Sequence, residues 1–472
     1  MTALDFNSNS KWYSRFKGKK IRLAFCIYNN DYNICSIAIS SISAYVKKIH
    51  PDVEVKLFHV IALVEDEKYG PVGFVNYVKN WQPDIFAISI LSTHWEGVQP
   101  YLTELKKELP ATVILAGGYQ PILQSEQTIN FNPIDFICDG DGEYPTVDLI
   151  SYLKGELSGP VNGLWEKLKD GTIKKTEKVL VKDISILPFP DYEIYEVNGD
   201  INVNNLTVER VKVKLLPVMT SRGCVYHCTY CSNSTLLKAF PDKKKFIRHY
   251  ELNAMIDELV RLRDRYKIKY FEFWDELFFA DLKYVNEFLP LYQEKVKTPF
   301  SVVSRIEVMD FDLCKRIAEA GCDAIYFGLE SGSEEYRRKY LKRFDKNEKI
   351  LEAAENCRLN GIKRITFNII GLPFETKSQM IETLEINKLI DPEYFFIFIY
   401  IPLKGTALYE LAEKEGMLYD QLRSVHYLDG RDLGKVRMNI KQKNEGANEE
   451  EVNEVYAEML EFQKRQVSLY HK

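Results

Sequence analysis

No segment of the 472-residue chain is apolar for long enough to cross a bilayer. The longest such run, Phe395 to Leu403, falls far short of the ~20 residues a spanning helix needs. Met1 to Lys20 is polar and lacks the apolar stretch of an export signal. Charge of one sign is scarce too. The 63 basic and 68 acidic residues leave a net charge of −5, which gives no electrostatic footprint for general nucleic-acid binding. The cysteines number nine; an odd count without an export signal argues against a disulfide framework and for a reducing cytoplasm. Repeats of solenoid period are also missing. What is present, 46% apolar and 28% charged residues, is a globular mix. The length suggests about two to four domains at ~100–200 residues each.

The first 155 residues alternate between two periodicities. Runs of strand length lie at Ile21–Tyr28, Val55–Val60, Ile85–Ile90, Val113–Ala116 and Ile134–Cys138, with helical patterns at Ile34–Ile49, Val72–Trp81 and Val98–Leu109. The fold class is therefore α/β, beginning with a doubly wound, Rossmann-like parallel sheet over residues 1–155. Ligands of such sheets sit beyond the carboxyl ends of the strands. The loops there, around Asn29–Asp31, Leu91–Gly97, Gly117–Pro121 and Asp139–Tyr144, carry glycines and small hydroxyls and few cations. No Gly-x-Gly-x-x-Gly turn follows the first strand, which argues against a dinucleotide. Proline and glycine punctuation over residues 156–212 reads as a linker with a small hairpin. From 213 to 406 the alternation resumes. Strands are expected at Leu215–Thr220, Tyr270–Trp274, Phe300–Val303, Ala324–Leu329, Arg364–Ile370 and Tyr394–Ile401. Six such units make a partial (β/α)6 barrel. Residues 407–472 read as a helical cap, with Tyr419, His426, Tyr427 and Arg431 packing there rather than closing over a site.

Six of the cysteines, Cys26, Cys35, Cys138, Cys314, Cys322 and Cys357, are scattered through apolar segments and read as buried thiols. The other three, Cys224, Cys228 and Cys231, share one loop after the first barrel strand, at the end where active sites form. Thiolates select zinc, copper(I) or iron–sulfur clusters. A structural zinc site wants four ligands, and no second Cys-x₂-Cys pair is present. Three cysteines suit three irons of a [4Fe–4S] cube and leave the fourth iron open to a ligand.

Cys224-x₃-Cys228-x-Tyr230-Cys231, with an aromatic before the last cysteine, resembles the signature of radical S-adenosylmethionine (SAM) enzymes. Further segments over residues 220–406 match in order. The end of the second strand, with Asp275 and Glu276, resembles the part that approaches the methionine amine. Ser304-Arg305 resembles the contact with the cofactor's carboxylate or ribose, and Glu330-Ser331 the fourth-strand segment that faces the ribose. Gly371-Leu-Pro373 resembles the adenine-side turn, although Phe374 stands where an acidic residue can occur and Glu375 follows it. The resemblance implies that Cys224, Cys228 and Cys231 bind the cluster, and that Tyr230, Asp275, Glu276, Arg305, Glu330, Ser331 and Gly371 contact SAM.

A doubly wound domain before such a core resembles the cobalamin-binding domain of the cobalamin-dependent radical SAM enzymes. The matching positions are Asn30, Ser92, Thr93, Trp95, Gly117, Gly118, Gly142 and Glu143. The lower-ligand pattern Asp-x-His-x-x-Gly is absent, so the resemblance implies no histidine on cobalt, with His94 more suited to solvent or corrin amides. The family's chemistry implies methylation of an unactivated carbon by way of a 5′-deoxyadenosyl radical and methylcobalamin. It also implies a small-molecule or peptide substrate between the two cofactors, an electron donor such as flavodoxin or ferredoxin, no nucleic-acid or membrane partner, and a cytoplasmic location. No residue is singled out as catalytic. A cyclase or rearrangement enzyme with the same cofactors is the nearest alternative. A transfer-RNA methylthiotransferase and a non-catalytic cobalamin carrier fit less well: the first needs another cluster and an RNA-binding tail, the second has no use for the cysteine loop.

Overall fold

The computed structural model describes residues 3–29, 35–61, 70–197, 200–201, 214–240, 242, 245–422 and 435–470. Asn30, His426, Tyr427 and Arg431 lie outside the described residues. The chain divides into two compact units, Met1–Leu206 and Thr207–Lys472. No helix among the described residues is long and apolar enough to cross a membrane.

The first unit is built on strands β1 (Arg22–Asn29), β2 (Glu54–Ile61), β3 (Ile85–Ser89), β4 (Val113–Gly117), β5 (Phe136–Cys138), β6 (Leu164–Lys167) and β7 (Ile173–Lys174), in the order β2-β1-β3-β4-β5-β6-β7. The first five are parallel. Their centres are buried on both faces, the environment that selects runs such as Leu23–Ile27 and Ile85–Ala87. Residues 164–174, expected within the linker, instead extend the sheet: β6 pairs antiparallel with β5, and β7 with β6. Trp165 and Ile173 pack against the same core as β1 and β3, which explains why this hairpin belongs to the sheet. The topological switch lies between β1 and β3, so the loops after those strands form the natural ligand crevice.

The second unit carries a six-stranded parallel sheet in sequential order: β8 (Leu215–Val218), β9 (Tyr270–Phe273), β10 (Phe300–Ser304), β11 (Cys322–Glu330), β12 (Lys363–Ile370) and β13 (Tyr394–Ile399). Sequential parallel order with intervening helices is the arrangement of a half barrel. Local chemistry sets the helix starts. Glu251, Asp281 and Asp310 cap the amides that open Leu252–Tyr266, Leu282–Leu291 and Phe311–Glu319, and Thr376 with Gln379 forms a capping box before Lys377–Ile390. Between β11 and β12 a helical turn Glu334–Tyr336 gives way to a π-turn Arg337–Leu341. The C-terminal region is helical at Ala407–Lys414 and Glu449–Tyr470, but residues 435–447 run as an extended strap instead of a helix. Asn439 donates to the Tyr400 carbonyl, and Gln442 bridges Leu372 and Phe374, so side-chain amides replace helical bonding there.

Candidate functional site

Strand β8 delivers the chain to Thr220, after which Ser221–Arg222 pairs with Arg248–His249. Gly223 follows at φ +104, and a Cβ there would meet the Phe246 carbonyl at 2.2 Å. Only glycine fits this approach. It turns the chain into the cysteine loop. Thr229 anchors the loop's middle, its hydroxyl donating to the Tyr340 carbonyl at 2.6 Å while its own carbonyl accepts from the Leu408 amide at 2.9 Å. Cys224 and Cys231 are partly exposed and Cys228 is buried. Burial pushes the thiols up, Cys224 to about 11 and Cys231 to about 12, and raises Cys228 as well. Backbone hydrogen bonds from Tyr226 and Asn233 oppose this at Cys224 and Cys231, and Arg343 and Arg305 oppose it at Cys228. The thiols stay protonated until a metal replaces the protons. Among the described residues no three or more His, Cys, Asp or Glu side chains are gathered around the position of a single ion. A cube whose irons each take one thiolate does not need that gathering.

The two carboxylates after β9 have different surroundings. Asp275 is fully buried and accepts from the Thr220 amide, the Thr220 hydroxyl and the Ser221 hydroxyl. It fastens the start of the cysteine loop, so its oxygens are already occupied within the chain. Glu276 accepts from the Gly223 amide at 3.1 Å, one oxygen spent on the loop turn. Burial raises both carboxyls. At the end of β10, the Ser304 hydroxyl is buried without a hydrogen-bond partner. Arg305 beside it pairs with Glu307 and Asp345 and lies 4.0 Å from the centre of the Tyr226 ring.

The end of β11 is strained. Its register with β12 shifts between Gly328 and Glu330, and Glu330 adopts φ +68, a conformation that costs a non-glycine residue on the order of 1–3 kcal/mol and clusters at functional sites. The Glu330 carboxylate lies 3.5 Å from Arg343, which also reaches the Tyr230 hydroxyl at 3.3 Å and the Gly328 carbonyl at 2.6 Å. The structure thus brings Tyr230, Glu330 and Cys228 around one buried arginine that the sequence reading missed. Ser331 is turned inward: its carbonyl accepts from Arg337, and its hydroxyl from the Ser333 amide. Gly371, at φ +70, sits against Met438 of the strap. Glu375 is fully buried; one oxygen accepts from the Leu372 amide at 3.2 Å and the other has no partner.

Burial pushes the Glu375 carboxyl from its ordinary 4.5 up to about 8. The folded chain therefore holds this proton more tightly than the unfolded chain. The contribution of this carboxyl to stability is greatest below pH 4.5, falls as the pH rises toward 8, and is flat above that. Glu375→Gln should remove this slope. The unfolding free energy of the variant relative to the parent, from denaturant titration, is expected to rise by several kcal/mol between pH ~5 and pH ~9.

In the first unit, the turn Ser92–His94 follows β3, and the Ser92 and Thr93 hydroxyls are both buried without partners. Of the other described positions singled out there, Trp95 and Glu143 have partners within the chain. Trp95 packs edge-on to Phe131 in the core, and Glu143 accepts from the Ser41 hydroxyl at 2.8 Å. Gly118, at φ +90, is required by the close approach of the Ile90 carbonyl, 2.7 Å from where a Cβ would stand, and Gly142 lies against the Ile42 side chain. A Cβ at Gly117 would meet nothing closer than 3.9 Å. His94 is buried edge-on to Tyr28. The Ser92, Thr93 and Ser304 hydroxyls and one Glu375 oxygen are thus buried polar atoms that the chain itself does not satisfy.

Residues 218–386 match the sequence model of the radical SAM superfamily. An uncharacterized methyltransferase of Pyrococcus horikoshii is 26% identical over 389 residues, 81% of this chain and 79% of that protein. Cytidylyl-2-hydroxyethylphosphonate methyltransferase of Streptomyces wedmorensis is 24% identical over 63% of this chain and 60% of its own length. Among solved structures, the radical SAM methyltransferase TsrM of Kitasatospora setae, with cobalamin and a [4Fe–4S] cluster bound, has a TM-score of 0.64 at 17% identity. That alignment covers 84% of this chain and 75% of TsrM; at this identity the likeness is one of fold.

Proposed function

We propose that the chain, whose residues 218–386 match the radical SAM superfamily, is a cobalamin-dependent enzyme of that class and that it methylates an unactivated carbon. The observation that carries the cobalamin half is the pair of buried, unpartnered hydroxyls of Ser92 and Thr93, placed at the crevice of a doubly wound sheet. The methyltransferase names of the Pyrococcus and Streptomyces relatives support the outcome. When bound, the cluster, SAM and cobalamin supply the radical and the methyl group; the chain supplies position and exclusion of water.

Cys224, Cys228 and Cys231 hold the cluster. The Ser304 hydroxyl, Arg305 and the oxygen of Glu276 not spent on Gly223 meet the polar groups of SAM, and Arg343 orients Glu330 and Tyr230 beside Cys228. Ser92 and Thr93 donate to cobalamin amides. In this reading residues 1–155 bind cobalamin, 213–406 bind SAM, and a low-potential carrier such as flavodoxin or ferredoxin supplies electrons in the cytoplasm to act on a small molecule or peptide. Anaerobic turnover with methyl-labelled SAM tests the reaction. Label in the product is the expected result; unlabelled, cyclised or rearranged product would overturn methylation while keeping the cofactors.

A further inference from the structure

We propose that the cationic turn beside the cysteine loop is where an acidic one-electron carrier protein docks. This rests on the reading of that loop as the holder of a cluster that has to receive an electron. Thr229, between Cys228 and Cys231, ties the loop to the π-turn Arg337–Leu341: its hydroxyl donates to the Tyr340 carbonyl and its amide to that of Leu341. From that turn to Lys346 the chain reads Arg-Arg-Lys-Tyr-Leu-Lys-Arg-Phe-Asp-Lys. A partner seated on this segment stands next to the cysteines.

The fold sorts these cations. Arg337 and Arg343 turn inward, the first to the Ser331 carbonyl and the second to Glu330. Arg338, Lys339, Lys342 and Lys346 stay exposed, and none of the four has an ion pair among the described residues. The one carboxylate in the run, Asp345, is taken by Arg305. Exposed carboxylates stand outside it, at Glu334, Glu335 and Glu348. The loop side adds none, since residues 220–240 contain no Asp or Glu. It is bordered instead by a fifth exposed cation without an ion pair among the described residues, Lys404. The carbonyl of its neighbour Gly405 accepts from Thr235 in the helix after Cys231. In a chain of net charge −5, this is a local excess of the opposite sign, able to steer an acidic partner.

Apolar surface accompanies the charge. Phe344 is 62% exposed and Val225 46%. They flank one contact: the Tyr226 ring, next to Val225, lies on Arg305, and Arg305 holds Asp345, next to Phe344. An apolar centre with a charged rim is how protein interfaces are built, and electron-transfer encounters need only a small one. Cations alone would also suit a nucleic acid; the exposed aliphatic side chain of Val225, beside Cys224, favours the apolar surface of a protein. In the docked pair the carrier is oxidised by one electron and the cluster is reduced by one.

The test uses the full chain with its cluster reconstituted anaerobically, and an acidic flavodoxin as probe. Calorimetry should show saturable binding that weakens as salt is added. Arg338→Glu/Lys342→Glu should weaken binding about tenfold at low ionic strength and slow cluster reduction by reduced flavodoxin. Reduction by dithionite, cluster absorbance and SAM affinity should not change. Lys346→Glu/Lys404→Glu gives the same reading from outside the π-turn if the first variant does not fold. Lys17→Glu/Lys19→Glu, a reversal of exposed cations in the first unit, should leave binding and reduction as they are in the parent. Absence of saturable binding, equal affinity in parent and π-turn variant, equal weakening by the first-unit variant, or displacement of flavodoxin by single-stranded RNA would overturn the proposal. Failure of the parent chain to assemble a cluster would instead overturn the functional reading beneath it.

Discussion

Cys228→Ala is expected to reduce turnover to background and to remove the broad visible absorbance of the cluster after anaerobic reconstitution, with iron content falling to that of the untreated chain. All the chemistry depends on the cluster, so no residual activity from positioning alone is expected. The control lies in the same sequence. Cys357 is fully buried, its sulfur 3.8 Å from that of Cys314. Cys357→Ala should cost roughly 1 kcal/mol of stability, as the loss of a small buried group does, and leave iron and turnover unchanged. A cluster that survives Cys228→Ala, or is lost in Cys357→Ala, would refute the division of the cysteines into three ligands and six packing residues.

Arg343→Ala should be the most destabilising single change in the second unit. Arg343 is 5% exposed and connects Glu330, Tyr230 and the Gly328 carbonyl. Its removal leaves a buried carboxylate uncompensated, at a cost of about 3–5 kcal/mol. Arg343→Lys should recover little, because an ammonium cannot span the carbonyl and hydroxyl as the guanidinium fork does. The double variant Arg343→Leu/Glu330→Gln should be more stable than Arg343→Ala, because it removes the stranded charge. Denaturant unfolding of the three variants measures this. If Arg343→Ala shifts the midpoint no more than a typical surface change, the arginine is not the keystone of the strand end.

These two predictions differ in how readable they were beforehand. The cysteine loop lies within a few consecutive residues, so its ligands are visible in one dimension. The same holds for the strands and helices, whose periodicities are local: the helix read at Val72–Trp81 is Pro71–Trp81 in the structure. Arg343 is different. It lies 113 residues from Tyr230 within the cationic run Arg337–Lys346, where its exposed neighbours have the same composition. Only folding shows which of these cations turns inward. Asp275 was visible as a carboxylate at a strand end, but its partners Thr220 and Ser221 lie more than fifty residues earlier, so its fastening role was hidden. The hairpin of β6 and β7 carries turn residues typical of a linker; what recruits it is the unpaired edge of β5, a tertiary fact.

Helix Glu449–Tyr470 has a consequence for synthesis. Its Gln463 donates to the Phe395 carbonyl and its Gln466 to that of Pro392, while Tyr470 reaches Asp391. A nascent chain stalled before residue 449 would carry strand β13 with Phe395, which meets Phe462 of this helix, and its buried neighbours Ile397 and Ile399 uncovered and these carbonyls unmet. Such an edge invites pairing with other chains. The half barrel is therefore sealed only once residues 449–470 have been made and have docked, and expression of forms cut before residue 449 should be governed by aggregation during translation.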